Sequence, residues 1–204
     1  MSRPIGQPWR VTFQAGFVLL SLCLLAVPPV VVLSSPTATV DALWVSLRIA
    51  GLEAFTVLFM NLAQGAFRPF FSRLVRPFLA HRLHVVVGVV GFALAVGHGL
   101  CVLLFGIAGY PAGGVWIGPG MLVVLTAALA TAFLRTRLRS TWRHVHRLNY
   151  ALFLAAFLHG SVLGSDLRTN RFLLGCAVVY VVTVVSGYVY RLFRGPHAAQ
   201  RAQP

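Results

Sequence analysis

The sequence predicts an all-α protein, a polytopic bundle of six transmembrane helices with both termini in the cytoplasm. The chain has 204 residues, of which 58% are hydrophobic and only 10% are charged, and its mean hydropathy is +0.84. This composition is typical of a membrane protein rather than of a soluble domain. We expect a single membrane domain over residues 1–204, without a soluble flavin or nicotinamide domain, because no polar stretch is long enough to form one.

Six apolar segments are each long enough to cross the apolar core of a bilayer as a helix, which takes about 20 residues. We predict the six helices at about 13–34, 42–66, 84–108, 114–134, 146–164 and 171–193. The segments between them alternate in charge: Arg68, Arg73, Arg76 and Arg82 follow the second helix, whereas the next connection, 109–120, has no charge. Because basic residues concentrate on the cytoplasmic side, this alternation places both termini inside.

The basic residues are all arginines, and the formal net charge is +14. A nucleic-acid-binding protein can be equally basic. Here the arginines flank apolar segments, which indicates membrane topology, and we expect no nucleic-acid partner. The cytoplasmic arginines suit either an acidic flavoprotein or anionic lipid, and the sequence does not choose between them. The set comprises Arg73, Arg76, Arg82, Arg135, Arg137 and Arg139.

Two of the predicted helices each carry a pair of histidines in an otherwise apolar run. His84 and His98 belong to the third helix, and His146 and His159 belong to the fifth. At about 1.5 Å per residue, each pair spans about 20 Å along its helix. Ionisable residues within a membrane are costly and usually functional. Because imidazole is an axial ligand of heme iron, the four residues predict two b-type hemes, an inner one at His84/His146 and an outer one at His98/His159.

The two histidines of the third helix lie on nearly the same face, as two stacked hemes would require. The 14 residues from His84 to His98 bring the chain back to within about 40° of the same face. Gly88 and Gly91 lie on this stripe. These glycines either leave room for flat macrocycles or allow close packing of helices.

The two histidines of the fifth helix, His146 and His159, are less favourably oriented. The 13 residues from His146 to His159 turn it by about 220°, so a straight helix does not present both on one face. His144 aligns better with His159, and the geometry alone leaves His144 and His146 open. A tilt or an irregular first turn around His146 would reconcile the pattern with two hemes.

Other residues limit how a cofactor is held. Cys23, Cys101 and Cys176 lie singly in apolar runs and form no C-x-x-C-H motif, so any heme is non-covalent. The histidines are too widely separated for one tetrahedral zinc site. Arg48, inside the second helix, either extends to the outer interface or pairs with a propionate of the outer heme. Glu53 adds a second charge near the middle of that helix.

The histidine segments resemble a known family. Trp142, then H-R-L-N-Y from His146, then His159, is similar to the fifth helix of ferric-reductase-like transmembrane domains. The segment L-H-V-V-V-G-V-V-G-F-A-L-A-V-G-H, which ends at His98, resembles their third helix. The similarity covers roughly residues 45–190. The superfamily includes ferric reductases, NADPH oxidases and the heme-binding subunit of the bacterial methionine-sulfoxide reductase system.

The resemblance implies a six-helix bundle in which the third and fifth helices bind hemes b. Its matching positions are His84, His98, His146 and His159, and it therefore favours His146 over His144. It implies a multi-pass protein of the bacterial inner membrane that transfers electrons from a cytoplasmic flavoprotein to ferric iron, oxygen or a partner enzyme outside. The chain departs from the two-heme branch in lacking FAD and NAD(P)H domains, so we expect FAD only on a separate partner and no complete enzyme in this chain alone.

Two alternatives remain open from the sequence. The first is a quinol-fed, heme-binding membrane anchor for a periplasmic oxidoreductase, such as a methionine-sulfoxide reductase. The second is a heme-free membrane scaffold or transporter in which the histidines relay protons.

Overall fold

The computed structural model describes residues 7–35, 41–105 and 115–200. Within these residues the regular structure is α-helical and no β-strand occurs, so the predicted all-α class is confirmed. The helices are α1 (Gln7–Leu33), α2 (Ala42–Ala66), α3 (Arg68–Leu74), α4 (Pro77–Phe105), α5 (Ile117–Phe133), α6 (Arg135–Leu138), α7 (Thr141–Leu163), α8 (Ser165–Thr169) and α9 (Arg171–Gln200).

Four helices in the described part of the chain are long and apolar enough to cross a membrane, judged by length and composition. Their apolar spans are Val11–Leu33, Ala42–Ala66, Pro77–Leu104 and Arg171–Phe193. They belong to α1, α2, α4 and α9. The apolar helix α5 is shorter, with 17 residues, and α7 begins with polar residues. The chain is therefore a multi-pass integral membrane protein, and the expected number of six spans stays a prediction.

The outer surface of the bundle suits lipid. Large apolar side chains are exposed along the helices, as at Leu104, which is 70% exposed, and Val123, which is 69% exposed. In water such a surface would favour aggregation, whereas lipid tails solvate it.

The long helices alternate in direction. The end of α2 lies beside the start of α4, where Gly65 is near His84, and the start of α5 lies beside the end of α7, where Gly118 is near His159. Basic segments therefore gather at one end of the bundle, the arginine-rich end, and Asp166 lies at the opposite end, the aspartate end. The arginine-rich end carries Arg68, Arg73, Arg76, Arg82, Arg135, Arg137, Arg139 and Arg143.

Helix α2 is the central element and packs against α1, α4, α7 and α9. Phe55 stacks on Phe153 of α7 with ring centroids 4.5 Å apart, and Phe59 stacks on Tyr180 of α9 at 4.1 Å. Such aromatic pairs add about 0.5–1.5 kcal/mol beyond the burial of their surface. These contacts join α2, α7 and α9 in one core.

The helix bounds differ from the prediction at the arginine-rich end. Helix α4 begins at Pro77 instead of 84, because proline fits the first turn of a helix. Helix α7 begins at Thr141 instead of 146. Basic or polar residues interrupt the apolar run in each extension, namely His81 and Arg82 in α4 and Arg143 and His144 in α7, so a search for uninterrupted apolar runs omits both. The short helices α3, α6 and α8 were not predicted for the same reason, and the predicted boundaries at 108 and 114 lie outside the described residues.

Candidate functional site

His84 and His146 lie next to each other at the arginine-rich end. Their ring centroids are 6.1 Å apart and their planes are inclined by 70°. His84 belongs to α4 and His146 to α7, and both side chains are half-buried. The ring of Trp142, one turn earlier in α7, lies 5.6 Å from that of His146. The structure thus brings together the two side chains that the sequence assigns to an inner site.

The geometry places His146, and not His144, opposite His84. His144 is exposed. His144 and His146 are two residues apart, which corresponds to a rotation of about 200° around the helix, so only one of these histidines can face α4. Helix α7 is regular from Thr141 through His146, so the irregular first turn considered from the sequence does not occur.

The distance between the inner rings fits one metal ion between two imidazoles. A metal–imidazole nitrogen bond of about 2.0 Å, as in zinc sites, and a ring radius of about 1.1 Å add up on both sides to about 6.2 Å. The observed separation of 6.1 Å is close to that value. Heme iron takes two axial protein ligands, and His84 and His146 supply two.

The polar atoms around the inner rings are incompletely paired. Among the described residues, the buried Nδ1 of His84 has no hydrogen-bond partner. Nδ2 of Asn149 lies 3.5 Å from Nδ1 of His146, and the Oδ1 atom of the same amide is buried without a partner. Rotating this amide by half a turn presents Oδ1 to a protonated Nδ1 of His146, which leaves Nε2 for a metal. The surroundings of His146 are therefore compatible with ligation.

The outer histidines lie against two different helices. Nδ1 of His98 is 3.0 Å from the carbonyl oxygen of Leu47 in α2. Because a carbonyl oxygen only accepts, Nδ1 carries the proton, and Nε2 of the neutral ring is free to bind a metal. His159 lies beside Gly118 of α5, where a Cβ would be 3.4 Å from Cε1. The two outer histidines therefore contact α2 and α5, respectively.

Gly88 and Gly91 face α2. A Cβ at position 88 would lie 3.1 Å from Nδ2 of Asn61, and one at position 91 would lie 3.2 Å from Cγ1 of Val57. Asn61 also donates a hydrogen bond of 2.6 Å to the carbonyl of His84. These glycines therefore allow close packing of α2 and α4, and their expected place beside a macrocycle stays a prediction.

The pairing of α2 with α4 keeps one antiparallel register over the whole contact. Gly51 meets His98 and Gly65 meets His84. The distance from Gly51 to Gly65 is 14 residues, and so is the distance from His84 to His98. The predicted stripe of α4 is thus a real face of the helix. Helix α2 packs along it, and the ring of His84 at its start also faces His146 of α7.

Arg48 forms a buried ion pair at the aspartate end. Its Nε lies 2.9 Å from Oδ2 of Asp166, its Nη2 donates to Oδ1 of the same carboxylate, and Nη2 also reaches Oγ of Ser35 at 3.2 Å. The two charged residues are only 9% and 8% exposed. Arg48 therefore pairs inside the protein instead of extending to the interface, and a contact with a heme propionate stays a prediction.

Asp166 was missed because it lies in a connection outside the predicted helices. A signal was available, since the chain has only three acidic residues and Asp166 is predicted on the same side of the membrane as the start of the second helix. A buried arginine needs a carboxylate, and Asp166 was a candidate within reach.

The described residues contain no group of three or more His, Cys, Asp or Glu side chains able to hold a metal ion. His84 and His146 instead form a pair, and two is the number of ligands that a six-coordinate heme requires from the protein. Comparisons of the chain with known protein families, with curated proteins and with solved structures find no match.

Proposed function

We propose that the chain is a di-heme transmembrane electron-transfer subunit. It takes electrons from a cytoplasmic flavoprotein and delivers them to an acceptor outside, such as ferric iron, oxygen or a partner enzyme. The observation that carries the proposal is the pair of rings of His84 and His146, 6.1 Å apart in an apolar helical bundle. FAD belongs to the separate partner, and the chain is one component of an oxidoreductase.

The four histidines would hold two non-covalent hemes b. His84 and His146 would hold the inner one, and His98 and His159 the outer one. When bound, each heme supplies an iron that exchanges one electron. Because two imidazoles fill both axial positions, the protein keeps substrates away from the metal, and its role is to position the cofactors and set their potentials.

The orientation in the membrane follows from charge. Arginine-rich segments remain in the cytoplasm, so the arginine-rich end would face inward and both termini would be cytoplasmic. Helices α5 and α7 would complete six spans, with the polar start of α7 in the interface. The location would be the bacterial inner membrane. The inner histidine pair then lies below the cytoplasmic arginines, where an acidic flavoprotein can dock.

The decisive measurement is the heme content of the full chain purified from cells supplied with heme precursors. We expect two hemes b per chain by pyridine hemochrome, and a reduced-minus-oxidised difference spectrum of b type. One heme per chain would contradict the two-site arrangement and favour the quinol-fed anchor. A colourless protein would refute heme binding altogether and leave the heme-free scaffold or transporter.

A second measurement separates the two electron donors. The purified protein is mixed anaerobically with a reduced flavoprotein or with a short-chain quinol, and reduction is followed by absorbance. We expect rapid reduction by the flavoprotein that slows with added salt, because arginines would attract an acidic partner. Reduction by quinol alone would contradict the proposed donor.

A further inference from the structure

The ring of His98 lies on a surface that α2 forms from Gly51 and the carbonyl group of Leu47. A Cβ at position 51 would be 2.9 Å from both Cε1 and Nδ1 of the ring, a separation that real Cβ atoms essentially never show. The carbonyl oxygen of Leu47 lies 3.0 Å from the same Nδ1. We name this surface, Gly51 together with the Leu47 carbonyl, the His98 niche.

The spacing of the two residues explains how a backbone carbonyl inside a helix reaches a side chain of another helix. In α2 the Leu47 carbonyl is four residues before Gly51, whose N–H it accepts in regular helix geometry. A carbonyl oxygen has a second lone pair for another donor. A side chain at position 51 would extend over that oxygen, because helical side chains point toward the N-terminus. Glycine leaves the oxygen open and allows the ring to approach.

We propose that the His98 niche is a positioning device that holds His98 in the Nδ1–H tautomer with Nε2 as the ligating atom. The ligand role rests on the proposed heme function, whereas the tautomer does not. A hydrogen bond from the second ring nitrogen to a carbonyl fixes the orientation of a metal-binding imidazole and raises its basicity. Leu47 and Gly51 act through His98 and are therefore positioning residues.

The glycines near the two histidines of α4 form a graded series. A Cβ at Gly65 would meet Cε1 of His84 at 3.6 Å, an ordinary van der Waals contact. A Cβ at Gly97, next to His98 in α4, would meet nothing within 4 Å. A methyl group added at these positions therefore perturbs a histidine strongly at position 51, weakly at 65 and not at all at 97.

The first test compares G51A, G65A and G97A in the full-length protein with its hemes bound. For G51A we expect heme affinity at the outer site to fall by about 10- to 100-fold, the usual effect of losing a partner that orients a ligand. The electron paramagnetic resonance signal that disappears in His98→Ala should shift or weaken in G51A and stay unchanged in G97A. Equal signals in G51A and G97A would overturn the proposal.

The second test needs no heme, and the protein whose tautomer is measured has the unaltered sequence. The full chain, produced without heme and labelled with ¹⁵N-histidine, is measured by nuclear magnetic resonance, and the His98 signal is assigned by its absence from His98→Gln. We expect a protonated Nδ1 and an unprotonated Nε2. A protonated Nε2 would overturn the niche even if the protein binds two hemes, and a protonated Nδ1 in a protein that binds none would support the niche while refuting the proposed function.

Discussion

The two ends of α4 hold the same residue type in different ways. At the arginine-rich end, the ring of His84 faces the ring of His146 at 6.1 Å, and its Nδ1 has no hydrogen-bond partner. At the aspartate end, the ring of His98 lies on Gly51 with Nδ1 on a carbonyl oxygen. The ring of His84 therefore faces another histidine across the bundle, whereas the ring of His98 lies on a glycine and a carbonyl group of α2.

This difference shows that one pair of helices, α2 and α4, can place two histidines in different surroundings. The hydrogen bond to the Leu47 carbonyl raises the basicity of the His98 imidazole, so with a cofactor bound we expect the loss of that bond to raise the reduction potential of the aspartate-end site. The ion pair of Arg48 and Asp166 lies at the same end, one residue from Leu47 and seven from His159. It ties the part of α2 that holds His98 to the connection that follows His159.

The largest expected effect comes from removing one inner ring. His146→Ala should halve the heme content, because the inner site loses an axial ligand while the outer site keeps both. The matched control is His144→Ala, an exposed histidine of the same helix, which should bind the full amount. Heme loss from His144→Ala with retention in His146→Ala would reverse the assignment.

The next effect concerns the ion pair at the aspartate end. Arg48→Ala leaves the Asp166 carboxylate buried without its partner and should reduce the free energy of unfolding by about 3–5 kcal/mol. Replacing both residues, Arg48→Met with Asp166→Leu, should restore most of the stability because no charge remains buried. The measurement is thermal unfolding in detergent followed by tryptophan fluorescence. A double variant as unstable as Arg48→Ala would contradict the prediction and show that the instability does not come from an unpaired buried charge.

A smaller effect separates loss of packing from loss of a histidine. A Cβ at Gly187 of α9 would lie 2.7 Å from that of Ala66, so Gly187→Ala should cost about 1–3 kcal/mol of unfolding free energy. Gly175→Ala, in the same helix with nothing within 4 Å, should not destabilise. Folded Gly187→Ala protein should keep both hemes. Selective loss of one heme would mean that α9 positions a histidine.

The sequence predicts the helices well where hydrophobicity decides their bounds. The second helix was predicted at 42–66 and is observed at Ala42–Ala66, because its ends coincide with the ends of the apolar run. The start of α4 was missed by seven residues, since His81 and Arg82 interrupt the apolar run and the first turn of the helix begins at Pro77.

The candidate site shows the limit of periodicity. A 14-residue spacing places His84 and His98 on one face of a helix, and the structure agrees. Periodicity does not say which helix packs against that face. In the structure that helix is α2, whose Gly51 meets His98 and whose Gly65 meets His84. The partner of Arg48 lay in a connection, where no repeat pattern exists.

The smallest expected effect tests whether the amide of Asn149 helps to hold the ring of His146. The amide of Asn149 lies 3.5 Å from Nδ1 of His146, too far for a strong hydrogen bond. Asn149→Leu should therefore leave both hemes bound and shift the reduction potential of the inner site alone, by less than Gly51→Ala shifts the outer one. A redox titration that resolves two components measures both shifts. If Asn149→Leu changes its site as much as Gly51→Ala does, both ends are held from behind, and the contrast between them disappears.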